Sequence, residues 1–224
     1  VKMRRLFYLV MLMIISTQCY SAVTIDRTRL ILVQNQPGEV VLRNNSKVVK
    51  NVSILVTDQN EVQRTDKILL TPNFIKMQPG ESRVVRLFSL EGNLKEGRLY
   101  YLEVQEETDG EQFGLNVILS SRIKVFIRTN SDKIDYDNSV EIGCVNPNKL
   151  WIKNLTNSFI SINKILYGDV VISDEYSLSE IAPNKTSYFV SSGRCPEQKQ
   201  LSVEFINEYG GMYKSSMSIK DGMK

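Results

Sequence analysis

The chain is expected to be all-β and built of sandwiches of short strands, on three observations. Apolar residues alternate with polar ones through most of the sequence, no long stretch carries a helical period, and turn signals such as NQPGE (Asn35 to Glu39) and QPGE (Gln78 to Glu81) recur between the runs. Seven such runs fall in about a hundred residues after Val23. That count and spacing suit an immunoglobulin-like sandwich.

The N-terminus comes first. Lys2, Arg4 and Arg5 precede the apolar run LFYLVMLMII, which ends in the polar and small residues STQCYSA. This layout predicts a secretory signal peptide over residues 1–21, cleaved after Ser21 or Ala22, with an apolar run too short to leave the mature chain inserted in a membrane. The formal charge of +3 belongs to that leader, because taking its three basic residues from 28 leaves 25 against 25 acidic ones. A neutral mature chain gives no basis for nucleic-acid binding. Cys19 leaves with the leader, and in an oxidising compartment Cys144 and Cys195 read as a disulfide rather than as two buried thiols.

Taken in order, the runs are VTIDRTRLILV, EVVLRN, KVVKNVSILVTD, TDKILLTPNFIKM, SRVVRLFSL, RLYYLEVQEE and FGLNVILSSRIKVFIR, each read as one strand. The last, residues 113–128, puts Phe113, Leu115, Val117, Leu119, Ile123, Val125 and Ile127 on one face, while Arg122, Lys124 and Arg128 leave on the other. Its first half is apolar and its second half basic. It reads as a strand able to lend its edge to another protein, although the same alternation also suits the inner face of a sandwich. A linker, Thr129 to Lys133, separates a first domain (22–129) from a second (134–224). In the second, strands are expected at KLWIKN, FISINKILY, TSYFVS, LSVEFIN and MYKSSMSIK. The halves echo one another: VVLRNNSKVVKNVSI resembles LWIKNLTNSFISI, and Pro79 and Pro183 stand 183 − 79 = 104 residues apart in similar contexts. Two sandwiches in tandem account for the repeat.

The sequence offers little to an enzyme. It has no histidine, which removes the usual general base and the common nucleophile pairs, and with two mature cysteines a metal site is not expected. No glycine-rich phosphate loop is present, and no cofactor is expected. Glu106 and Glu107 sit beside a hairpin and are expected to face solvent, and the Asn51 and Asn154 sequons carry no weight by themselves. Arg29 and Lys124, taken singly, would by default be solvated side chains on strands.

Together, however, DRTR near the mature N-terminus, RLYYLEV, RIKVFIR before the linker and NEYGG near the end resemble the periplasmic pilus-assembly chaperones of Gram-negative bacteria. The resemblance implies two immunoglobulin-like domains set at an angle, with a cleft between them. In that cleft Arg29 and Lys124 would hold the terminal carboxylate of a pilus subunit. Phe113, Leu115, Val117 and Leu119 would act as a donor strand filling the subunit's open groove. An outer-membrane usher would receive the complex. The alternative is a two-domain pilus subunit or adhesin. Arg128 and Glu208 match an interdomain ion cluster, with Glu96 as a stand-in for its third member, because Gly97 occupies the position of the usual acid. The short segment Glu106 to Gln112 resembles the short-loop branch of the family.

Overall fold

The computed structural model describes residues 23–59, 64–107, 119–129, 133–173, 180–191, 195 and 200–220. The expected signal peptide lies outside these residues, as do Phe113, Leu115 and Val117. The first sandwich contains β1 (Val23–Ile25), β2 (Arg29–Val33), β3 (Gly38–Asn44), β4 (Lys50–Thr57), β5 (Ile68–Thr71), β6 (Phe74–Met77), β7 (Ser82–Ser89), β8 (Arg98–Glu107) and β9 (Leu119–Arg128). After a single 3-10 turn at Tyr136–Asn138, the second contains β10 (Val140–Asn146), β11 (Lys149–Asn154), β12 (Ser161–Tyr167), β13 (Val170–Val171), β14 (Thr186–Val190), β15 (Gln200–Ile206) and β16 (Met212–Lys220). The architecture is two immunoglobulin-like β-sandwiches.

In the first sandwich a sheet ordered β1-β3-β7-β5 faces one ordered β2-β9-β8-β4-β6. Period-two burial drives this arrangement: Leu30 and Leu32, Val40 and Leu42, Val85 and Leu87, and Leu102 and Val104 all point into one core. In the second, the order β13-β12-β15-β16-β10-β11-β14 closes through a short parallel contact of β16 with β10, around a separate core that includes Ile142, Leu150, Ile165, Val203 and Phe205.

Three expectations need correction. VTIDRTRLILV is two strands, because β1 pairs with β3 in one sheet and β2 with β9 in the other. The Asp26 carboxylate holds the crossing by accepting from Val41 N at 2.9 Å and pairing with Arg27, which keeps its pKa below the ordinary carboxylate range. TDKILLTPNFIKM likewise divides into β5 and β6 in opposite sheets, at the cis Thr71–Pro72 bond. Strand β10 was not expected; Gly143 and Cys144 weaken its alternation, yet Gly143 is the residue that fits, since a Cβ there would lie 2.5 Å from the Trp151 ring. The Cys144–Cys195 disulfide is present, with Cα atoms 6.2 Å apart.

The repeat sensed in the sequence has a physical core in two buried asparagines. Asn44 Nδ2 donates to the carbonyls of Val48, Met77 and Gln78 at 2.9, 3.2 and 3.1 Å. Asn154 Nδ2 donates to those of Ser158, Ile181 and Ala182 at 2.7, 3.0 and 3.1 Å. Each carboxamide oxygen accepts from the residue two positions on, Ser46 or Thr156. Asn154 is therefore a buried structural residue rather than a surface sequon.

Candidate functional site

The parallel ladder between β2 and β9 brings the two singled-out cations together. Arg29 is the register partner of Lys124, and the pairs continue from Leu30 with Val125 to Val33 with Arg128. Opposed residues in a ladder leave on the same face, so Arg29 and Lys124 emerge side by side while Leu30 and Val125 enter the core. The face they share points at the second sandwich. Phe126, of the same parity, belongs to neither core yet is only 7% exposed, and its ring lies 6.2 Å from that of Phe159.

The second sandwich supplies acceptors to these cations. Arg29 Nη1 donates to Ser161 Oγ at 3.2 Å and to the Asn207 carbonyl at 3.2 Å, with the guanidinium 5.6 Å from the Phe126 ring centroid. Lys124 Nζ pairs with the Glu180 carboxylate, and Arg128, 5% exposed, pairs with Glu208. Burial pulls both guanidinium pKa values down from their ordinary value, but an arginine starts so high that both stay charged. Tyr136 closes the cleft, and burial pushes its phenol pKa up. A desolvated cleft strengthens any charge-assisted bond made inside it.

Glu96 is placed elsewhere than the sequence suggested. Its carboxylate accepts from Asn184 Nδ2 at 3.0 Å, which is a contact between sandwiches separate from the pair made by Arg128. Next to it, Gly97 N donates to the Asn157 carbonyl at 2.7 Å, and a Cβ on Gly97 would lie 2.9 Å from the Ile127 carbonyl. A glycine at 97 lets that backbone lie against Ile127 of its own sandwich and Asn157 of the other, whose carbonyl a Cβ would approach to 3.3 Å.

On the side of β9 away from β8, β2 pairs only with residues 124–128. Among the described residues no strand pairs with Leu119 to Ile123 on that side. A groove opens there between Val23–Ile25 and residues 121–123. Leu119 has the core-facing parity of Ile123 but stands beyond the end of the core and is 52% exposed. Its partner across the ladder is Glu106, and the expectation that Glu106 faces solvent is wrong: it is 3% exposed, accepting from Val23 N at 2.7 Å and pairing with Lys50 at 3.3 Å. Glu107 does face solvent.

Residues 22–131 match the family described as pili and flagellar-assembly chaperone, PapD N-terminal domain. Residues 22–131 belong to the pilus-assembly chaperone family. Solved structures of similar fold include a chain of the Salmonella enterica complex of SafA pilin with the SafB chaperone (16% identity, TM-score 0.74, covering 91% of this chain and 99% of that one). The E. coli chaperone DraB is 19% identical with a TM-score of 0.72, covering 89% and 97%. The Pseudomonas aeruginosa CupB2 chaperone is 18% identical with a TM-score of 0.70, covering 88% and 100%. Comparison with curated proteins gives no match. At these identities the structures establish the fold of the pilus chaperones along the whole described chain.

Sequence reasoning missed Glu180, Phe159, Ser161 and Tyr136. Three come from the second sandwich and one from the turn that enters it, so no pattern within β2 or β9 points to them. Phe126 could have been found, because it shares the parity of Lys124 and Arg128. No helix among the described residues is long and apolar enough to cross a membrane.

Proposed function

We propose that this chain is a periplasmic chaperone that binds, folds and caps pilus subunits by lending them a strand, then delivers them to an outer-membrane usher. Its working parts are a first domain over 22–129 and a second over 134–224. The observation that carries the reading is the register pairing of Arg29 with Lys124 at the point where the open edge of β9 ends. A subunit tail laid on that edge continues the line of β2, runs parallel to β9, and stops with its carboxylate at the two cations.

Two charge-assisted bonds there contribute roughly 1.5–3 kcal/mol each and set the register. Phe113, Leu115, Val117 and Leu119 supply the apolar donor surface; burying Leu115, Val117 and Leu119 in a groove contributes roughly 5–9 kcal/mol before ordering costs. Leu119 leaves on the opposite face from Lys124, so the apolar side chains and the carboxylate anchor serve different faces of one added strand. Arg128 and Glu208 hold the two domains in the pose that positions Arg29, with Glu96 assisting through Asn184. Periplasmic co-production with a pilus subunit tests this. R29A and K124A are expected to fold yet lose most recovered subunit, and undiminished recovery with both contradicts the anchor.

A further inference from the structure

Glu180 is unassigned in the reading above, and it occupies the anchor. Its backbone is fixed because the next residue, the buried Ile181, exchanges both hydrogen bonds with Ile160 at 2.8 and 3.1 Å. From that rigid seat the carboxylate reaches across the cleft to Lys124 Nζ, and its field also favours the charged form of Arg29. The same site therefore already holds one carboxylate, supplied by the chain itself. We propose that Glu180 is an internal stand-in for the ligand's terminal carboxylate: it pairs with Lys124 and offsets part of the charge that Lys124 shares with Arg29 in the unloaded protein, and an incoming chain end must displace it to be held.

The contrast with Arg128 supports this role. Both cations pair with an acid from the second sandwich, but the Arg128 side chain is 5% exposed whereas that of Lys124 is 30% exposed beside the open edge. A cation reachable from solvent can exchange partners; a buried one braces. Two cations opposed in register repel when nothing lies between them, and an acid seated beside Ile181 offsets that repulsion without closing the site. When a ligand carboxylate leaves, the same acid takes its place beside Lys124.

The inference rests on the anchor assigned to Arg29 and Lys124, and one titration separates the two claims. The probe is an acetylated synthetic peptide of alternating valine and serine, with either a free or an amidated C-terminus, bound to the full chain and followed by calorimetry. E180Q keeps the shape and removes the charge. It is expected to bind the free-acid peptide on the order of tenfold more tightly than the wild type does. The amidated peptide should bind both alike, and E180D should behave as wild type. Unchanged or weaker binding of the free acid by E180Q overturns the stand-in, and weaker binding would mark Glu180 as a positioning residue for Lys124. If the wild type and K124A bind the two peptides without distinction, the anchor itself is wrong, and the stand-in with it.

Discussion

The Asn44 and Asn154 corners use the same hydrogen bonds, and the turns that follow them part company. In the first sandwich the turn is completed by Gly80 at φ 74°, with nothing within 4 Å of where a side chain would begin. In the second the matching position is Asn184 at φ 57°, one of the few residue types that tolerates the left-handed region, and its amide reaches Glu96 at 3.0 Å and Asn157 Oδ1 at 3.1 Å. One device thus serves twice, once facing open space and once facing the other sandwich. The difference extends to charge. Across the cleft the first sandwich contributes Arg29, Lys124 and Arg128, and the second contributes carbonyls, a hydroxyl, Glu180 and Glu208. The first carries the groups that could grip a ligand; the second holds them in place.

Five variants test how alike and how separate the sandwiches are. The largest effect is expected from C144S with C195S. The bond closes a separation of 51 residues in the second sandwich alone, so its loss should cost about 4 kcal/mol by chain entropy. Denaturant unfolding should then show the second sandwich melting ahead of the first. Next, N44A and N154A each remove three buried hydrogen bonds to carbonyls and should each cost about 3 kcal/mol. Amide exchange should place each loss in its own sandwich, and a large effect from only one would show that the corners are not equivalent.

G97A is expected to cost about 1–3 kcal/mol, since its Cβ meets the Ile127 carbonyl at 2.9 Å. The same Cβ would stand 3.3 Å from the Asn157 carbonyl of the second sandwich, so small-angle scattering should also report a looser pair of domains. The smallest effect belongs to D26N at the β1-to-β2 crossing, about 1 kcal/mol at neutral pH. The Asp26 pKa is depressed in the folded state, so its contribution is present above the unfolded value near 3.9 and is lost as pH falls through the folded value. Wild type and D26N should therefore converge in stability once pH has fallen below the folded-state pKa of Asp26.

Much of this was legible in the sequence, and the reasons are particular. Alternation finds strands, so β3, β7, β8 and β16 needed no structure. It cannot see a strand changing sheets, because Ile25, Ile31 and Val33 keep one parity across Asp26, and Ile68, Leu70 and Phe74 do so across Pro72. Both crossings were hidden for that reason. The basic residues of RIKVFIR stood out because a cation between apolar neighbours is conspicuous. Their acceptors did not, since Ser161, Glu180 and the Asn207 carbonyl lie more than a hundred residues from Arg29 in ordinary polar surroundings. Glu106 was misread because its partners, Val23 N and Lys50, belong to strands far away in the chain.

The central claim is that the edge of β9 ahead of Lys124 accepts a partner's strand, and amide exchange reads it directly. On binding a pilus subunit, the amides from Leu119 to Ile123 should exchange at least about tenfold more slowly, while those of β16 stay unchanged. Binding that leaves Leu119 to Ile123 exchanging at their free rate would contradict the account.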